Sequence, residues 1–132
     1  FCKGCLACLK LEHCVIQDDA VEIAAKMHDA DVLAFATPVY YYSVCGQLKT
    51  MLDRANPLFD SDYAFTEAYL LATAAENAPS AFDDAKRAAQ GWVDCFPRCT
   101  LAGTVFAGGV EGVGEIAGHP ALAQAQKTGM EI

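Results

Sequence analysis

Val32-Leu33-Ala34-Phe35-Ala36, running directly into Thr37-Pro38-Val39-Tyr40-Tyr41-Tyr42-Ser43, decides the architecture of this chain. Consecutive apolar residues without alternation suit a strand covered on both faces, as in a parallel sheet. The strand is expected to stop at Thr37-Pro38, because proline has no N–H to continue a ladder. Ala68-Tyr69-Leu70-Leu71-Ala72-Thr73-Ala74 repeats the pattern, and so does the run from Leu101 to Ala107, which breaks at Gly108-Gly109.

Helical periods lie between these runs. Asp19 is placed to cap a helix over roughly 19–29, with Glu22 reaching back and Val21, Ala24, Ala25 and His28 along one face. After Ser43, Leu48, Met51, Leu52 and Ala55 fall at core spacing, leaving Lys49, Asp53 and Arg54 toward water, and Pro57 closes the helix. The clearest period follows Pro79, where Phe82, Ala85, Ala89, Trp92, Val93 and Phe96 recur at three- and four-residue steps. Pro120 opens a last helix that Gly129 is placed to end, with His119 as a cap. Helices alternating with strands imply a parallel sheet built by right-handed crossovers, with helices on both faces.

In such sheets ligands bind beyond the carboxyl ends of the strands. The turn from Thr37 to Ser43 offers three successive aromatic rings, exposed backbone N–H groups and two hydroxyls, a combination suited to a flat heteroaromatic ring. A tyrosine-rich surface loop packed on the neighbouring helix is the other reading. Glu76, at the end of the second strand, stands either in solvent or near such a ring.

The chain has 132 residues, 54% of them hydrophobic, enough for one core. Nine Lys and Arg against 17 Asp and Glu give a formal charge of -8, which disfavours phosphate-rich partners such as nucleic acid. No run approaches the roughly 20 apolar residues of a membrane span, and no secretory signal opens the chain, so it reads as soluble and cytoplasmic. Phe1 stands directly before the cysteine cluster, and we expect an upstream part to have been lost or removed.

Seven cysteines in this length fit metal ligands and reduced thiols better than a complete disulfide set. Cys2, Cys5, Cys8 and Cys14 have the spacing C-x2-C-x2-C-x5-C within a segment, residues 1–17, that reads as a cysteine-rich loop. Three thiolates at steps of three wrap around a cubane and a fourth completes the shell, so a 4Fe-4S cluster is one reading. Zinc and unligated thiols are the others. Cys45, Cys95 and Cys99 read as small hydrophobes. His13, His28 and His119 form no triad or metal pattern, and Asp18-Asp19 are explained by the helix dipole.

Cys2-Lys3-Gly4-Cys5-Leu6-Ala7-Cys8 with Cys14, Asp18-Asp19, Ala30-Asp31, Thr37-Pro38-Val39-Tyr40-Tyr41, Gly46-Gln47-Leu48-Lys49 and Asp53-Arg54 together resemble the NAD(P)H-dependent FMN reductase group of flavodoxin-like proteins. Within it they are most similar to the iron-sulfur flavoproteins. The resemblance implies a three-layer α/β/α flavodoxin-like domain over 1–132 with a parallel sheet in the order 2-1-3-4-5, lacking its first βαβ unit here. It implies FMN beside Thr37, Pro38, Val39, Tyr40, Tyr41, Tyr42 and Ser43, with Thr73, Ala74, Ala75 and Glu76 as the second flanking loop. Cys2, Cys5, Cys8 and Cys14 match the cluster ligands of the iron-sulfur subgroup.

The activity implied is electron transfer from NAD(P)H through FMN to a small-molecule or protein acceptor, directly or through the cluster, in a homodimer or homotetramer. No side chain stands out as a general acid or base. The unit that carries the family's phosphate loop precedes the cysteine motif, so without it we expect weak FMN binding and an exposed sheet edge near residue 32. A flavin-free remnant acting in assembly or metal binding, and a flavodoxin-type electron carrier, are the alternatives.

Overall fold

In the computed structural model, which describes residues 1–132, the cysteine-rich segment is not loop throughout. Cys8–Leu11 forms one helical turn (α1), ended by Glu12 at φ +60°. The next helix, α2, spans Asp19–Asp29, and its cap is Asp18 rather than Asp19: the Asp18 carboxylate accepts from the Ala20 N–H at 3.2 Å. That shift moves Glu22 one position beyond the capping-box site, and it pairs instead with Lys26 at 2.7 Å. Ala24 and Met27 are the buried residues of α2, while Ala25 is exposed.

The first strand, β1, runs Val32–Tyr40 and passes through Pro38, contrary to the expected stop. Over Val32–Pro38 it pairs in parallel only with β3 (Glu67–Ala74), so its other edge has no ladder to break there. Beyond Pro38, Val39 and Tyr40 pair antiparallel with a short strand β2, Ser43–Val44. Helix α3 follows at Gly46–Arg54, then a 3-10 turn at Asn56–Leu58. Strand β4, Thr100–Gly108, pairs in parallel with β3, giving the order β2-β1-β3-β4. Pro79–Phe82 form a second 3-10 turn leading into α4, Asp83–Val93. Helix α5 runs Pro120–Glu131 straight through Gly129, and His119 caps it by accepting from the Ala121 N–H at 3.1 Å.

Each strand sends alternate residues to opposite faces. On one face Leu33, Phe35, Ala68, Leu70 and Ala72 meet α2, α3 and α4, and Tyr63, Phe65, Trp92 and Phe96 interlock with ring centroids 4.2 to 6.1 Å apart. On the other face Val105 and Ala107 pack on Ala121 and Ala125 of α5, against Leu71 and Ile116. The three-layer α/β/α arrangement is as expected, but its second helical layer covers only the β3–β4 half, and Ala34 and Ala36 of β1 are exposed. Arg54, expected to face water, is 3% exposed and among the most buried residues of α3.

His28 ties α2 to the segment before β3. Its ring nitrogens lie 2.7 Å from Asp29 and 2.9 Å from Asp62, and its carbonyl accepts from the Ala64 N–H at 2.8 Å. Hydrogen bonds to Asp29 and then Asp62 raise its pKa above the ordinary histidine value. A raised histidine contributes stability that is fully present below the unfolded-state pKa, about 6.5, and is lost as pH rises through the folded-state value. Urea unfolding should therefore show a fall in stability above about pH 6.5 that flattens in His28→Gln; identical pH profiles would contradict the assignment.

Candidate functional site

Tyr41 and Tyr42 sit at φ +48° and +66°, between the paired residues Tyr40 and Ser43. Two central residues of positive φ joining two strands make a type I′ turn, whose usual occupants are Asn-Gly because each L side chain with a Cβ resists that conformation. The rings are not compensated by burial: Tyr40, Tyr41 and Tyr42 are 59%, 102% and 56% exposed. The tyrosines thus lie in a surface turn, and burial against the next helix does not offset its backbone strain.

The register brings the neighbouring loops alongside, since Pro38 pairs with Thr73 and Thr73 with Ala107. The Val110 N–H donates to the Ala74 carbonyl at 2.9 Å, tying the loop after β4 to the end of β3. Gly108 is required there, because a Cβ would come within 3.0 Å of the Asn77 backbone and the Glu76 carbonyl. Thr37, Pro38 and Thr73 share an apolar cleft of ≈ 380 Å³ with Leu71, Val105 and Ile116, whereas Val39–Ser43 and Ala74–Glu76 lie outside its walls.

Several candidate groups are already engaged. The Thr37 hydroxyl accepts from the Cys45 N–H at 2.9 Å and donates to the Pro38 carbonyl at 2.7 Å, so it fixes the hairpin to the start of α3. Glu76 accepts from the Ala78 N–H at 2.9 Å, which gives it a turn-closing role. Glu115 accepts from the Gly112 and Glu111 N–H groups at 2.7 and 2.9 Å, holding its carboxyl below the ordinary range. Burial opposes ionisation of the Cys45 thiol, but the Thr37 hydroxyl and the N–H groups of Leu48 and Gln47 outweigh it and lower its pKa. Cys45 and Cys99 are buried as expected, while Cys95 is exposed, its thiol donating to the Gly91 carbonyl at 3.4 Å.

A second site lies at the far end of α3. Positive φ at Gly4 (+64°) and Leu6 (+56°) curls the chain so that Cys2, Cys5, Cys8 and Cys14 all line one cavity of ≈ 90 Å³. As the side chains stand, no group of three or more His, Cys, Asp or Glu is placed to hold a metal ion. The Gly4 N–H donates to the Cys2 sulfur at 3.4 Å, and the Asn56 amide donates to the Cys8 sulfur at 3.0 Å.

Arg54 completes the wall of this cavity. It donates from Nη1 and Nη2 to both Asp18 oxygens at 2.7 Å, and from Nη2 to the Ile16 carbonyl at 3.0 Å. Its Nε is buried without any partner. Hydrogen bonding to Asp18 raises the guanidinium pKa, burial opposes this, and the nearby Cys14 sulfur adds to the rise. The same pair holds Asp18 below the usual carboxylate range. Sequence reading missed Arg54 and Asn56 as site residues; the only available signal was Asp53-Arg54 recurring in the family resemblance, because a helical arginine ordinarily reads as solvated.

The family described as NADPH-dependent FMN reductase matches residues 2–112. An iron-sulfur flavoprotein from Archaeoglobus fulgidus is 41% identical over 64 residues, covering 48% of this chain and 33% of that protein. One from Methanosarcina thermophila is 43% identical over 63 residues, with the same shares of 48% and 33%. The chain thus spans about a third of the length of these relatives. Among solved structures, the Trp repressor binding protein from Bacillus subtilis superposes with a TM-score of 0.70 at 23% identity, covering 83% of this chain and 74% of that one. An NAD(P)H:quinone oxidoreductase from Methanothermobacter marburgensis gives 0.60 at 18%, covering 89% and 65%. These two likenesses concern the fold.

Two outcomes follow from the geometry. Replacing Tyr41 by Asn and Tyr42 by Gly should stabilise the chain by about 1–2 kcal/mol in urea unfolding, since both positions then suit positive φ. Asp18→Ala strands the buried guanidinium, so it should lower the urea midpoint more than Asp19→Ala and speed proteolysis within residues 1–17. The double variant Asp18→Ala, Arg54→Met should recover part of that loss.

Proposed function

Because the chain belongs to the NADPH-dependent FMN reductase family, we propose that it forms the ring-binding part of a flavin oxidoreductase passing electrons from NAD(P)H to an acceptor. The observation that carries this reading is the strained, solvent-facing tyrosine turn at the carboxyl ends of the parallel strands. When bound, FMN would supply hydride acceptance and stepwise electron release. The protein's part is to orient and shield it. Tyr40, Tyr41 and Tyr42 offer faces for the ring, Val39–Ser43 and Thr73–Glu76 offer main-chain groups at its polar edge, and the apolar cleft excludes water from one side.

None of the strand-end loops described offers a phosphate cradle. The glycine-rich loop after β4 carries Glu111 and Glu115, and Glu115 takes the N–H groups of Glu111 and Gly112. We assign the flavin phosphate to a segment outside these residues that pairs with the open edge of β1 at Val32–Pro38. The exposed tyrosines suit assembly as a homo-oligomer. No helix is long and apolar enough to cross a membrane.

Cys2, Cys5, Cys8 and Cys14 would hold a 4Fe-4S cluster, which when bound supplies a one-electron relay. The donor set fits. A single tetrahedral zinc needs its sulfurs about 3.8 Å apart, whereas a cubane spreads its ligands around a larger body; all four thiols line one cavity, but as the side chains stand no three of them are placed to hold a metal ion. The buried Arg54 Nε also lacks an acceptor that a sulfur-rich anionic cluster would provide.

The test is an FMN titration of the intact protein carrying this chain, followed by visible absorption. Flavin bands should appear and bleach anaerobically on addition of NADPH or NADH. Tyr41→Ala and Tyr42→Ala should each weaken binding by about three- to tenfold, the range of one aromatic contact. Absence of flavin bands at saturating FMN would falsify the reading, and bands that no nicotinamide bleaches would reduce it to an electron carrier.

A further inference from the structure

We propose that Asn56 and Arg54 are positioning residues of the cysteine site, donating hydrogen bonds to sulfur and thereby raising the reduction potential of the cluster held there. The inference rests on the reading of Cys2, Cys5, Cys8 and Cys14 as cluster ligands. Asn56 opens the 3-10 turn after α3 and is half-buried, and its amide nitrogen lies 3.0 Å from the Cys8 sulfur. That is a close contact for an N–H donor to the larger sulfur atom. The amide is neutral, so what it brings to the ligand is a directed dipole.

Arg54 is held more rigidly. Its two terminal nitrogens are locked by the bidentate pair with Asp18 and by the Ile16 carbonyl, leaving the guanidinium no freedom to turn. At 3% exposure the remaining Nε–H cannot reach water, and no acceptor meets it at hydrogen-bonding geometry, although the Cys14 sulfur lies close enough to interact with the guanidinium. A buried donor left unmade is costly, so such a group in the wall of a four-thiol cavity marks where an acceptor belongs. Cys14, which lines the same cavity as Arg54, is an acceptor of the right kind.

The direction of the effect follows from charge. Reduction adds one electron to the cluster and increases the negative charge on its sulfurs, so each N–H donor stabilises the reduced form more than the oxidised one. Removing a donor therefore makes the cluster harder to reduce. Asp18 offsets the net charge of Arg54, which leaves its Nε–H, like the Asn56 amide, acting chiefly through direction.

The experiment is anaerobic reconstitution of the intact protein with ferrous iron and sulfide, then potentiometric titration with dithionite monitored by electron paramagnetic resonance. Asn56→Ala should shift the reduced-to-oxidised ratio about tenfold toward the oxidised form, about 59 mV for one electron. Asn56→Asp should shift it further, because a carboxylate repels the added electron, and Asn56→Gln should restore part of the shift. Arg54→Lys, with folding checked by circular dichroism, should move the potential in the same direction. Full iron and sulfide content with an unchanged midpoint in Asn56→Ala and Asn56→Asp overturns the proposal, as does a loss of iron content at constant midpoint. If the unsubstituted protein takes up no iron and sulfide, the cluster reading itself fails first, and this inference falls with it.

Discussion

The pair between Arg54 and Asp18 organises half of this structure. A guanidinium taken almost wholly out of water loses hydration worth several kcal/mol, and only a well-aligned carboxylate with further acceptors offsets that. Here both Asp18 oxygens and the Ile16 carbonyl serve, while Asp18 simultaneously caps α2. One interaction thereby fixes the end of α3, the start of α2 and the approach of the cysteine segment. Without it, residues 1–17 have little else to hold them, since their side chains are mostly exposed and α1 buries none of its own.

At the opposite end the constraint is steric. Two tyrosines occupy backbone positions that suit Asn and Gly, held by a short antiparallel pairing and by the Thr37 hydroxyl anchoring the first residue before α3. Natural sequences depart from local rules mainly where function demands it. The departure lies at the strand ends, where open α/β sheets place their ligands. The rest of the sheet keeps those rules: apolar strands, helices with single buried stripes, and caps at Asp18 and His119.

The parallel strands and α4 were legible because apolar runs and a sustained three-to-four residue period report burial directly. Pro38 was misread, since a proline's cost depends on whether its edge has a neighbour, which the sequence does not state. Asp18 and Asp19 are equally good caps in isolation, and a guanidinium from Arg54, thirty-six positions later, decides between them. Burial of Arg54 was invisible for the same reason: only the tertiary partner makes it tolerable. The tyrosine run was legible as a turn at a strand end, but its left-handed backbone was not, because tyrosine carries no signal for positive φ. The cysteine spacing pointed to a shared site, and the structure adds the Asn56 donor to Cys8 and the Arg54 wall, which no spacing rule contains.

Helix α3 joins the two ends. The residue that precedes it, Cys45, is tied to the aromatic turn through Thr37, and its last residue walls the thiol cavity. Nine residues at a rise of 1.5 Å per residue measure about 13.5 Å. The aromatic turn at one terminus and the thiol cavity at the other are thus held apart by a fixed strut of hydrogen-bonded peptide.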